Sequence, residues 1–106
     1  MKTNNGFEVE KVEQSERISA SGAAQQVWKV DPPIKYDQDW ETKEYEGSTE
    51  YVMTSSVNAM FSGPETYIFP CNKDGEISSW SELPGSYRGG YDHSEAMMNL
   101  NHEGEY

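Results

Sequence analysis

The chain has 106 residues, of which 34% are hydrophobic, and a net charge of −11 from 19 acidic and 8 basic residues. This length predicts one domain, and the acidity disfavours nucleic-acid and anionic-membrane binding, because both depend on lysine and arginine. A single cysteine, Cys71, excludes an intramolecular disulfide and a multi-thiolate metal site. With no apolar stretch resembling a signal peptide or a membrane span, we expect a cytoplasmic protein without a membrane partner.

The first 26 residues are mostly polar, and they predict a weakly ordered arm ahead of one domain spanning residues 27–106. Residues 7–10 alternate between apolar and acidic side chains, which favours a short edge strand. Residues 19–24 are small or polar and predict a flexible connector. An exposed edge strand beside such an arm also allows a homodimer.

Alternating β-branched and aromatic residues predict the strands that follow. The first, at 27–30, is ended by Asp31-Pro32-Pro33, because proline lacks the N–H that a ladder uses. Three more strands near 50–57, 65–70 and 76–80 form an antiparallel meander, and a turn at 72–75 precedes the last of them. The expected core residues are Trp28, Tyr51, Met53, Tyr67, Phe69, Ile77, Trp80 and Leu83.

A helix is predicted near residues 93–101, and it would pack on one face of the sheet. Asp92 can cap its first N–H groups, and Glu95 follows at the capping-box spacing. The chain is therefore predicted to be an α+β domain, with a small antiparallel meander of three to four strands and one C-terminal helix.

The most acidic stretch runs from Asp37 to Glu50, where six acidic residues accompany one lysine. Aromatic residues within an acidic run favour a protein-binding surface, because tryptophan and tyrosine are frequent in binding hot spots. Spaced carboxylates can also imitate a phosphate backbone. The alternative is a solvated loop anchored by Trp40. The candidate protein-binding residues are Asp37, Asp39, Trp40, Glu41, Glu44, Tyr45 and Glu46.

A second candidate site is the glycine-rich loop before the helix. Arg88, the Gly89-Gly90 backbone and His93 together could hold an anion there. The alternative is a permissive linker whose anion position is already taken by Asp92, with His93 on a solvated helix surface. His93 and His102 are nine residues apart, which is not the spacing of a helical metal site. No catalytic or nucleotide-binding motif occurs, and we expect no enzymatic activity, no metal and no cofactor.

Residues 65–96 contain Glu65-Thr66-Tyr67, the Asp74-Gly75 turn, Trp80-Ser81-Glu82-Leu83 and Glu95-Ala96. This stretch resembles small accessory proteins of tailed bacteriophages, including those of cyanophages. The resemblance implies a viral accessory protein in the cytoplasm of an infected bacterium, where such proteins often serve host takeover or act against defence.

These observations lead to three hypotheses about function. The leading one is a non-catalytic acidic inhibitor that binds a host or defence protein through that protein's basic surface, by nucleic-acid mimicry in one version. The second is a sponge for a signalling nucleotide or another small anion. The third is a minor structural component of the virion.

Overall fold

The computed structural model describes residues 1–37, 46–59, 63–80, 82–84, 87–88 and 92–103. Within these ranges the chain forms six strands and one helix. In chain order they are β1 (Glu8–Lys11), β2 (Arg17–Ile18), β3 (Ala24–Asp37), β4 (Glu46–Ala59), β5 (Gly63–Cys71), β6 (Tyr87–Arg88) and α1 (His93–Met98).

All of these strands belong to one antiparallel sheet. Its order is β1-β3-β4-β5-β6, and β2 pairs with the same edge of β3 as β1. The two central strands, β3 and β4, have 14 residues each and align Trp28 with Val52. Helix α1 packs against β4 and β5. This architecture confirms the predicted α+β class.

Apolar residues are buried on both faces of the sheet, in clusters of different size. Because side chains alternate along a strand, neighbouring residues of β3 supply opposite faces. The smaller cluster contains Val27, Met53 and Cys71. The main core, which α1 covers, contains Phe7, Val9, Trp28, Val30, Ile34, Tyr36, Val52, Ile68, Leu83, Ala96, Met97 and Leu100.

The helix begins where the sequence predicts. The Asp92 carboxylate accepts a hydrogen bond from the Glu95 backbone N–H at 3.1 Å. The helix ends at Met98 rather than at residue 101, although Leu100 is still buried in the core. No helix formed by the described residues has the length and apolar character that a membrane crossing requires.

The prediction that Asp31-Pro32-Pro33 ends the first strand is wrong, because β3 continues to Asp37. The pairing moves from Lys29 opposite Tyr51 to Ile34 opposite Thr49, so β3 holds three more residues than β4 across this step. The prolines lie in this bulge, where the ladder does not use the missing N–H groups.

The strand predicted at 76–80 is also wrong, although the turn before it is confirmed. Gly75 has a φ of +80°, in the left-handed region, and its N–H donates to the Asn72 carbonyl at 3.0 Å. Over residues 76–80, all of which the structure describes, regular pairing is limited to one bridge between Cys71 and Ile77. The following residues run along β5 as an irregular edge.

Trp80 is looped out of this edge segment. The Ser78 N–H donates to the Pro70 carbonyl, and the Leu83 N–H donates to the Ile68 carbonyl. From Ser78 to Leu83 the chain therefore covers five residue steps, whereas the paired part of β5, from Pro70 to Ile68, covers two. Trp80 is one of the extra residues. Its side chain is 76% exposed, so the prediction that it belongs to the core is wrong.

The burial of most of the other predicted core residues depends on which face of the sheet they occupy. Trp28, Met53 and Leu83 are buried, as predicted. Tyr67 and Phe69 lie on the same face as Met53, opposite α1, and they are half-buried. Tyr51 and Ile77 border the small cluster on this face and are also half-buried.

The N-terminal segment belongs to the sheet, whereas the sequence places it outside the domain. It supplies β1, confirming the predicted edge strand, and it buries Phe7 and Val9. The Phe7 ring contacts the His102 ring at 5.0 Å, and the Asn5 amide donates to the Leu100 carbonyl at 3.0 Å. These partners are more than 90 residues away, so local sequence could not reveal them. Weak order of this segment in isolation stays a prediction.

Candidate interaction surfaces

The acidic segment leaves β3 and enters β4 at one end of the sheet. Asp37, the last residue of β3, is the register partner of Glu46, the first residue of β4. The predicted binding residues Asp39, Trp40, Glu41, Glu44 and Tyr45 lie between them, outside the described residues. The fold therefore places Asp37 and Glu46 side by side at one end of the sheet, and the role of the segment's side chains stays a prediction.

The described part of the surface is acidic and weakly neutralised. Among the described residues, six exposed carboxylates make no ion pair with a lysine or arginine side chain. Glu8 differs, since its carboxylate lies 3.0 Å from the N-terminal ammonium. The negative charges of these six carboxylates therefore face solvent and are not neutralised by the described basic side chains. The six residues are Glu10, Glu13, Glu16, Asp31, Glu50 and Asp74.

His93 is not on a solvated helix surface, contrary to the sequence-based interpretation. Its Nδ1 lies 2.6 Å from the Thr54 hydroxyl and its Nε2 lies 2.8 Å from the Ser56 hydroxyl. Thr54 also accepts a hydrogen bond from the Trp28 indole N–H at 2.8 Å, and Ser56 lies 2.7 Å from the Thr66 hydroxyl. The ring therefore joins a buried polar layer on the face that α1 covers.

This layer restrains the chemistry of His93. Burial lowers the pKa of His93, and the positive charge of Lys11 lowers it further, while Asp92 and Glu16 oppose the shift. The neutral ring is therefore favoured. Both ring nitrogens already have hydroxyl partners, and Ser56 itself is buried. A serine beside a histidine can act as a nucleophile, but the geometry of Ser56 and His93 favours a structural role.

A cleft of about 520 Å³ opens beside His93 at the edge of the sheet. The ammonium of Lys11 lies 5.6 Å from the centre of the Trp28 ring, and Arg17 lines another wall. Two acidic residues, Glu16 and Asp92, also line the cleft. Two of the eight basic residues of the chain therefore converge here, but opposite charges accompany them.

The described residues place only part of the predicted anion site. His93 opens α1, and Arg88 is the register partner of Glu65 in the β5–β6 pair. Gly89 and Gly90 lie outside the described residues. The assembly of these four residues into one site stays a prediction.

A groove that the sequence does not predict lies on the face of the sheet opposite α1. It has a volume of about 510 Å³, and we call it the Ile18–Trp80 groove. Ile18 is 70% exposed and Trp80 is 76% exposed, the two largest values among big apolar side chains of the described residues. Serines on both sides of Trp80 were a signal against burial. The lining residues are Arg17, Ile18, Ser19, Gln25, Gly75, Glu76, Ile77 and Trp80.

Cys71 is fully buried, and burial raises its pKa to about 12 against the opposing charge of Arg17. Its thiol is therefore protonated at neutral pH and poorly suited to nucleophilic chemistry. Among the described residues, no three His, Cys, Asp or Glu side chains are grouped so that they could hold a metal ion. In comparisons with known proteins, the chain matches no family model, no curated protein and no solved structure.

Proposed function

We propose that this chain is a non-catalytic binding protein that engages a protein partner through that partner's basic surface. The observation that carries the proposal is the set of exposed, unpaired carboxylates on a chain of net charge −11. The pairing of Asp37 with Glu46 supports it, because these two residues bound five of the six acids of the most acidic segment and lie together at one end of the sheet.

Electrostatics gives this surface a defined role in binding. Complementary charge accelerates encounter and selects against partners of like charge. Acidic residues on the rim act mainly on the association rate, whereas a desolvated aromatic anchor acts on the dissociation rate. Trp40 and Tyr45 are the proposed anchors. The resemblance of residues 65–96 to phage accessory proteins supports a bacterial host or defence protein as partner.

The proposal is tested by capture at low salt from a bacterial lysate, followed by identification and purification of the captured protein. The expected partner has a basic surface, and Trp40→Ala should speed its dissociation at least about tenfold with little change in association. An acidic or neutral partner, or one that dissociates from Trp40→Ala at the wild-type rate, would contradict the proposal. Competition with duplex DNA tests whether the partner's nucleic-acid site is the one occupied.

A second candidate function is supported by the cleft beside His93. Lys11 and Arg17 line a volume typical of small-molecule sites, which suits an anion such as a signalling nucleotide. Thermal shift measurements with cyclic and linear nucleotides test this candidate, since a ligand that binds the folded state raises the unfolding temperature. Stabilisation that Lys11→Ala abolishes would support it, whereas a flat response across the panel would remove it.

A further inference from the structure

We propose that the Ile18–Trp80 groove receives an arginine or lysine side chain of the partner protein. This inference rests on the proposed function, because it assigns a second contact to the same basic partner. It places that contact on the face of the sheet opposite α1, at the other end of β3 from Asp37.

The first observation that supports this proposal is the exposed ring of Trp80. Its ring contacts Phe69 edge-to-face at a centroid distance of 5.5 Å, while 76% of the side chain is exposed. Phe69 thus supports one part of the indole and leaves much of it open to solvent. An open indole face attracts a cation, and tryptophan is the most favourable aromatic partner for it.

The groove is held in shape by internal hydrogen bonds. The Arg17 guanidinium donates to the Gly75 carbonyl at 2.7 Å and to the Gln25 side chain at 2.9 Å. The Asn72 side chain accepts from the Glu76 N–H at 2.9 Å and fixes the turn. Because these contacts exist before binding, little additional ordering is required when a ligand enters.

The chemistry of the walls selects the occupant. Ile18 and Ile77 offer apolar surface to the methylene stem of a long basic side chain, and Glu76 offers a carboxylate to its charged head. Arg17 is the only basic side chain among the described residues that line the groove, and its guanidinium is held in place by the Gly75 carbonyl and the Gln25 side chain. Two chains with a net charge of −11 repel each other, which disfavours a second copy as occupant.

The test uses a displayed library of random dodecapeptides selected against the intact chain, followed by titration of synthetic peptides. We expect the selected peptides to contain arginine or lysine beside an aliphatic residue. Trp80→Ala and Glu76→Gln should each weaken binding, by about tenfold or more for Trp80→Ala. Trp80→Phe should retain part of the affinity. Glu95→Gln, a charge-matched change at an exposed position of α1, should leave it unchanged. Replacing the peptide arginine by citrulline should abolish the preference for wild type over Trp80→Ala.

The outcomes separate this inference from the proposed function. Peptides lacking basic residues, or equal affinity for wild type and Trp80→Ala, would overturn the groove assignment. If binding is lost only when the acids between Asp37 and Glu46 are neutralised, the acidic segment alone is the site and the groove assignment fails. Loss in Trp80→Ala together with no effect of that neutralisation would support the groove as a contact separate from the acidic segment, whose role is tested by the association rate of the whole partner. A dimer that Trp80→Ala dissociates would show a second copy to be the occupant and overturn the inference.

Discussion

The most informative stability test contrasts two large residues in the segment that runs along β5. Trp80 is 76% exposed and Leu83 is fully buried, although the sequence assigns both to the core. A buried aromatic removes about 150–250 Å² from water. Trp80 retains about a quarter of that burial, or roughly 50 Å², which corresponds to about 1 kcal/mol at ~25 cal/mol per Å². Its contact with Phe69 adds about 0.5–1.5 kcal/mol.

Trp80→Ala should therefore lower the free energy of unfolding by no more than about 2–2.5 kcal/mol. Leu83→Ala should lower it by about 2–5 kcal/mol, because the deletion leaves a cavity in the main core. Urea unfolding followed by far-UV circular dichroism measures both, without relying on the tryptophan that one variant lacks. A loss at Trp80 larger than the loss at Leu83 would refute the assignment of Trp80 to the surface.

Three further predictions concern protonation and backbone geometry. Because the pKa of His93 is lowered in the folded state, its contribution to stability is present above pH 6.5 and is lost as pH falls through the folded-state pKa. Urea unfolding from about pH 8 to about pH 5 should show a smaller acid-dependent loss for His93→Gln than for wild type, and parallel profiles would contradict this. With a pKa of about 12, Cys71 should react with Ellman's reagent at pH 8 only as the chain unfolds. Equal rates in the native and denatured protein would refute its burial. Gly75→Ala should cost at least about 1–2 kcal/mol in urea unfolding, because φ is +80° and a Cβ there would lie 3.1 Å from Met53 Cε. An unchanged unfolding midpoint would contradict that geometry.

Local signals in the sequence predicted the elements that depend on local chemistry. The Asp92 cap, the Gly75 turn, and the alternation that marks β4 and β5 each arise from neighbouring residues. Predictions failed where distant residues decide the outcome. The bulge in β3 accommodates Pro32 and Pro33 because β4 pairs on both sides of it.

The candidate site was predictable only in part, for the same reason. The acidic composition of residues 37–50 is visible in the sequence, but the meeting of Asp37 and Glu46 requires the register of two long strands. Trp80 was assigned to the core because tryptophan is usually buried, and only the irregular edge along β5 shows it looped out. The Ile18–Trp80 groove joins residues more than 60 positions apart, so no local pattern predicts it.

The central claim is that the acidic segment steers a basic partner, and the association rate tests it most directly. The cluster variant neutralises Asp37, Asp39, Glu41, Glu44 and Glu46, and a control of equal net charge neutralises Glu8, Glu10, Glu13, Asp31 and Glu95. Surface-binding kinetics with the purified partner at about 0.05 M and about 0.3 M salt compare both with wild type, because screening shortens with ionic strength. The account predicts association at least about tenfold slower for the cluster variant at low salt, a flatter salt dependence, and a smaller effect for the control. An association rate equal to wild type at low salt would contradict the account and reduce the acidic segment to a solubility device.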